Sequence, residues 1–201
     1  ARQLTNRSSG RMGVLIAQAA KLRGAEVDLV HGPIRVHQDL LEGINAYPVR
    51  SSTEMGKKIE ELQSFSQVIV MAAAVSDFKK NNPSNQKISK ELFLNSIFDD
   101  IEMTPDLIKN QTRKKLENQI FLAFAAETGS DSEIKEKGEK KRIKKGCDLL
   151  MANPIDRDGQ GFDQNFNSGF LLGPQKMSKK LALSTKLSIS HQLLDEIQNF
   201  K

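Results

Sequence analysis

The sequence has no tryptophan, one tyrosine and one cysteine in 201 residues. With the phenylalanines mostly inside apolar runs, few surfaces remain on which single-stranded bases could stack. The lone Cys147 excludes an intramolecular disulfide and fits a reducing compartment. His31, His37 and His191 are scattered, without metal-ligand spacing, and Cys147 has no histidine near it in sequence. No nucleophile–base pair can be read from them. No apolar run reaches the roughly 20 residues of a membrane helix. The polar start, with no signal-peptide pattern, leads straight into a motif. We therefore expect a cytoplasmic chain without a membrane partner. Two glycine signatures are also missing, the G-x-G-x-x-G of dinucleotide folds and the G-x-x-x-x-G-K-[ST] of P-loops.

What is present describes a globular chain. Hydrophobic residues make up 38% and charged residues 27%, enough for one domain with a substantial core. The net charge of +5 and pI near 9.3 suit a phosphate-bearing partner. They do not distinguish a nucleotide from a nucleic acid, and the scarcity of aromatics argues against the latter.

Apolar residues at 12, 15, 16, 19, 20 and 22 have helical spacing and stop at Gly24. AEVDLV (25–30) reads as a strand closed by the turn HGP, and a helix should run from Thr53, as N-cap, to Leu62. VIVMAAAV (68–75) and IFLAFAAE (120–127) are continuous apolar runs of the kind found in strands buried on both faces. Between them lies a polar interruption, 77–90, with four lysines and Asp77 as its only acid. LFLNSI and its neighbours resemble short strands. Thr104-Pro105-Asp106 should start a helix, with Thr104 as cap and Pro105 at the first helical position. A charged helix at 131–145, a strand at 148–153, a hairpin formed by GFLLG and KLALS, and a helix at 186–199 complete the chain. Alternating strands and helices indicate βαβ units. The expected fold is α/β, with a mostly parallel sheet and helices on both faces. One domain, 1–201, would carry a lysine-rich flap at about 77–103.

Four places carry chemistry. In LTNRSSGRMG (4–13) a turn with Gly10 and Gly13 enters a helix, bringing free backbone amides and a positive dipole to one point. A tight strand-to-helix turn explains the glycines equally well, but it does not require Asn6 or Arg7. MAAAVSDF (71–78) places small residues and Asp77 at the carboxyl end of a buried strand, where open α/β sheets bind ligands. The alternative is that Asp77 caps a turn. Lys87 and Lys90, in KISK, can fold over a phosphate and exclude water, or form a solvated loop. KEKGEKKRIKKG (135–146) has seven bases against two acids, and Lys141 and Lys145, four apart, share a helix face. Lysines, Asn and one Asp suit electrostatic activation of a phosphate ester or anhydride.

TNRSSGRMG, AEVDLVHGP, VIVMAAAVSDF, KISK, TPDLI, LAFAAET, KRIKKGCDLLMAN and STKLSISHQLLDEI, collinear over nearly the whole chain, resemble phosphopantothenoylcysteine synthetase. The likeness is to the bacterial type, the synthetase half of the bifunctional coenzyme A biosynthesis flavoprotein. It implies a modified Rossmann-like three-layer α/β fold and a homodimeric ligase that uses CTP, with Mg2+, to activate 4'-phosphopantothenate as an acyl-cytidylate. L-cysteine then displaces CMP. A decarboxylase, fused or separate, is the implied partner. By motif, Asn6 would contact the acyl phosphate near Gly10 and Gly13, and Lys87 would be the flap lysine; these two are the implied catalytic residues. Met71, Ala72, Ala73 and Asp77 would line the nucleotide site. Pro105, Asp106, Leu107 and Ile108 would run along the nucleotide, and Phe124, Lys141 and Lys145 would complete the pocket, with the lysines at the triphosphate. No metal ligand is assigned. Three positions depart from the family pattern: Ser89 where lysine is frequent, Ala123 where glycine is common, and Phe78 in place of tyrosine. A dinucleotide-dependent oxidoreductase, suggested by the fold, and a non-catalytic nucleic-acid-binding module, suggested by the pI, are the rival readings.

Overall fold

The computed structural model of the chain describes residues 5–82, 86, 89, 100–161 and 164–200. Helix α1 (Arg11–Leu22) ends just before Gly24, whose φ of 86° suits glycine alone. Strands β1 (Asp28–His31) and β2 (Asn45–Pro48) pair in parallel. β2 has no apolar run and escapes sequence reading; backbone pairing holds it, and Asn45 and Tyr47 both donate to Asp28 Oδ1, at 3.1 and 3.3 Å. Helix α2 (Ser52–Gln63) is capped by Ser51, whose hydroxyl accepts the Glu54 amide at 3.2 Å. That corrects the expected cap at Thr53, which lies inside the first turn.

Strand β3 (Val68–Met71) is shorter than the apolar run that announces it, because 72–75 leave the sheet. β4 (Phe78–Lys80) and β5 (Ile101–Met103) form an antiparallel ribbon at the base of the 77–103 insertion. Lys87, Lys90 and the LFLNSI strands lie outside the described residues. Helix α3 (Leu107–Thr112) is capped by Asp106, which accepts the Lys109 amide at 3.1 Å. Thr104 is therefore not the cap, and Pro105 precedes the helix instead of opening it. Thr104 is instead tied to the ribbon, its amide donating to the Asp77 carbonyl, and Asp106, adjacent to the first helical residue, takes the N-cap. β6 (Ile120–Glu127), α4 (Asp131–Lys145), β7 (Leu149–Pro154), β9 (Ser178–Thr185) and α5 (Lys186–Asn199) follow within a residue or two of expectation, while β8 (Phe166–Leu172) begins three residues before the expected GFLLG.

The central sheet has the order β3-β6-β7-β8-β9. Its first three strands are parallel; β8 and β9 add the antiparallel hairpin. Side chains alternate across it as the strand period requires. Leu122, Leu149, Met151, Leu171 and Leu181 face α1 and α5, packing on Ile16, Ile189 and Leu193. Ala123, Ala125, Leu150 and Ala152 face α4 through Ile134 and Cys147, while Ile69, Met71 and Phe121 meet α2 and α3 through Met55 and Leu107. Two-sided burial explains why β6 and β7 are apolar at nearly every position. Gly138 in α4 is required by this packing: a Cβ there would stand 2.8 Å from that of Ala152.

Candidate active site

The sequence before α1 turns sharply at Gly10, the N-cap, which has φ 74°. A side chain there would strike Ile34, since an added Cβ would come within 2.3 Å of Ile34 Cγ2. Ser8 and Ser9 hydroxyls meet the amides of Gly10 and Arg11, both at 3.4 Å, and the Ser9 carbonyl accepts the Arg35 amide at 2.9 Å. No side chain caps the helix. The start of α1 is thus pinned from beneath while its remaining first-turn amides face a cleft. The cleft encloses about 670 Å³ of empty space, mouth included, and is bounded by 8–13, by Ala72–Ala73–Ala74 beyond β3, and by Phe124 and Ala126 of β6.

Asn6 bridges this turn to the second wall. Its Nδ2 donates to the Val75 carbonyl at 3.0 Å across 69 residues of sequence. Two residues on, the Asp77 carbonyl accepts the Thr104 amide at 2.8 Å, which carries the 104–108 segment toward the same loop. Asp77, Pro105 and Asp106 are exposed, whereas Met71 and Leu107 are buried in the core and Ile108 packs against it. Met71 and Leu107, being buried, can offer a ligand little but backbone, while Ile108 is half-buried.

Lys141 and Lys145 do share a face of α4, and each meets a carboxylate. Lys141 lies 2.7 Å from Oε1 of the buried Glu127, an ion pair without hydrogen-bond alignment, and Lys145 lies 3.4 Å from Asp106 Oδ1. The expected site therefore falls into two neighbouring groups. Asn6, Gly10, Gly13, Ala72, Ala73 and Phe124 come together around the cleft; Asp106, Lys141 and Lys145 cluster beside the ends of β6 and α4. The 72–78 loop joins them. Lys87 lies outside the described residues.

Sequence reasoning missed the opposite wall of the cleft, made by Asn153, Gly161, Asn167 and Lys186. Asn167 sits at a register shift in β8, between Asn167 and Gly169, and is buried there. A bulge re-aims a side chain in this way, and no local pattern announces it. Two adjacent polar residues, Asn167 and Ser168, inside the strand FNSGFLL were the available signal.

Cys147 contributes no nucleophile: it is buried beneath α4, and desolvation pushes its thiol up to about 11. The histidines hold local structure, with His191 against Arg23 and His37 beside Asp39. Among the described residues no group of three or more His, Cys, Asp or Glu can hold a metal, and no helix is long and apolar enough to cross a membrane.

Comparison with known families decides the lineage. The model of the DNA/pantothenate metabolism flavoprotein C-terminal domain matches residues 1–200. The chain belongs to this family. Its relatives include the coenzyme A biosynthesis bifunctional proteins CoaBC of Bacillus subtilis, 32% identical over 98% of this chain and 47% of that protein, and of Thermococcus kodakarensis, 37% identical over 98% and 47%. The chain thus spans about half the length of these curated relatives. Among solved structures, the C-terminal domain of a coenzyme A biosynthesis bifunctional protein CoaBC superposes with a TM-score of 0.79 at 26% identity, covering 99% of this chain and 88% of the other. The family domain is an α/β fold with a central sheet flanked by helices, as expected from the sequence.

Proposed function

We propose that this family domain is the ligase that joins 4'-phosphopantothenate to L-cysteine in coenzyme A biosynthesis, with CTP as the activating nucleotide. One observation carries the reading: Asn6, at the anion-binding turn of α1, reaches across to Val75 beside the open end of β3. Amides, a helix dipole and an orienting carboxamide thereby converge on one cleft, as a phosphorylated intermediate requires.

In the first step a carboxylate oxygen of phosphopantothenate attacks the α-phosphorus of CTP, and the bond to pyrophosphate breaks. The cysteine amine then attacks the acyl carbon, CMP departs, and the nitrogen loses a proton. The first-turn amides of α1 would bind phosphate oxygens. With one N–H engaged by Val75, Asn6 keeps its other N–H and its carbonyl to orient the acyl phosphate. Lys87 would cover the α-phosphate. Lys141 and Lys145 would meet the triphosphate, exchanging Glu127 and Asp106 for phosphate oxygens. The described residues do not build a metal cage, which fits Mg2+ arriving on the nucleotide with most of its waters and at most one or two carboxylates, Asp77 foremost. A homodimer, a cytoplasmic setting and a decarboxylase partner belong to the same reading.

The test incubates the protein with phosphopantothenate, cysteine and CTP, ATP, GTP or UTP in turn and measures pyrophosphate. CTP should be preferred. Silence with all four in a folded sample overturns the reading. Lys87→Gln should slow pyrophosphate release roughly a hundredfold even without cysteine, the typical cost of one preorganised electrostatic contact.

A further inference from the structure

Gly161, one of the residues lining the cleft, ends a described stretch after β7, 155–161, that holds two left-handed glycines, Gly159 at φ 74° and Gly161 at φ 101°. The segment is anchored at Arg157, which pairs with Asp131, and at Gln160, which bridges Phe166 and accepts the Ser168 hydroxyl. A single residue at the start of α5 grips the chain at two further points. The Lys186 backbone amide donates to the Asn165 carbonyl at 3.0 Å, and its ammonium donates to the Gly161 carbonyl at 3.2 Å. Lys186 is itself held, because the Ser190 hydroxyl donates to its carbonyl at 2.7 Å, and its side chain is only 5% exposed.

Burying an ammonium costs several kcal/mol before its hydrogen bonds are counted. A hydrophobic side chain would fill this volume without that cost, yet the position carries a lysine that also lines the cleft. The first turn of α1 lines the same cavity. The turn it holds, at Gly161, is buried and borders the same cavity.

We propose that Lys186 is a positioning residue of this site: it pins the Gly159–Gly161 turn against the cleft, so that an anionic ligand at the start of α1 is enclosed on its far side. The proposal rests on the ligase reading for the identity of that ligand, the nucleotide phosphates, but not for the clamp itself.

Two readouts separate the parts. Trypsin cleavage after Arg157, without any ligand, reports the clamp. Lys186→Met, similar in length but without charge or donors, should cleave several times faster there than wild type, with cleavage elsewhere unchanged. Pyrophosphate release reports the site: KM for CTP should rise about tenfold or more, as for a displaced positioning group, with KM for cysteine unchanged. A merely structural lysine predicts a lower melting temperature and less active protein, with both KM values and the Arg157 site unmoved, and that result overturns the proposal. Should Lys186→Met not fold, hydrogen exchange on the wild-type chain decides. CTP should protect amides 157–161, and binding of CTP, seen as a thermal shift, without that protection overturns the proposal. If the wild-type chain neither binds nor turns over any nucleotide, the ligase reading fails, and faster Arg157 cleavage in the variant still decides the clamp.

Discussion

Replacing Gly10 with alanine tests the anion turn at its narrowest point. The added methyl would lie 2.3 Å from Ile34 Cγ2, about 1.1 Å inside the 3.4 Å at which ordinary contact begins, and the backbone would have to keep φ near 74°. The left-handed conformation costs a non-glycine residue about 1–2 kcal/mol. Overpacking of this kind costs about 1–3 kcal/mol. Together they predict a loss of about 2–5 kcal/mol, a large share of the roughly 5–15 kcal/mol that a domain has. Urea denaturation of Gly10→Ala would measure it. Ile34→Ala removes the atom at 2.3 Å but not Ile34 Cβ, which would lie 3.1 Å from the new methyl. The double variant should therefore be less destabilised than the sum of the singles by about 1–2 kcal/mol, the coupling expected between touching residues. Gly10→Ala within about 0.5 kcal/mol of wild type, or strict additivity with Ile34→Ala, would refute the steric account of this turn, and with it the claim that the first amides of α1 have fixed directions.

Other outcomes follow from the same contacts. Ser130 and Glu133 form a reciprocal capping box on α4, so Ser130→Ala should cost about 1 kcal/mol by denaturation. Arg157 and Lys180 hold the Asp131 carboxyl below its ordinary range, and the Ser130 amide does the same for Glu133. Their contribution is fully present above the unfolded carboxylate values near 4 and is lost as pH falls through the lower folded values; Asp131→Asn should flatten the stability curve in that acid window. Cys147, buried and with its thiol pushed up to about 11, should resist maleimide at pH 7.5 in native protein and react quickly in urea, and fast native labelling would contradict its placement. Asp148 accepts the Phe121 amide at 2.7 Å and pairs with Lys115, so Asp148→Ala should destabilise by about 2 kcal/mol, and a neutral result would refute its role in tying β7 to β6.

Much of this protein is written in short-range pattern. IFLAFAA reads as a strand buried on both faces, because seven consecutive apolar residues ahead of Glu127 suit the middle of a parallel sheet. Ser130 and Glu133 at the start of α4 and Gly146 at its end delimit that helix by local hydrogen bonding and a left-handed cap, so its bounds were readable to the residue. Asn6, Gly10 and Gly13 announced one wall of the cleft for the same reason, since a turn before a helix is itself a local structure. Elsewhere local signals competed: Ser51 and Asp106 took the caps expected at Thr53 and Thr104, and Asn45–Pro48 became a strand only because β1 offered it a partner. The opposite wall had only a weak local signature. Asn167 and Lys186 are polar residues, of types more often exposed than buried. Only tertiary packing buries them, Asn167 at the β8 register shift and Lys186 where the start of α5 meets Gly161 and Asn165, because burial is a property of what packs against a residue and not of the residue itself.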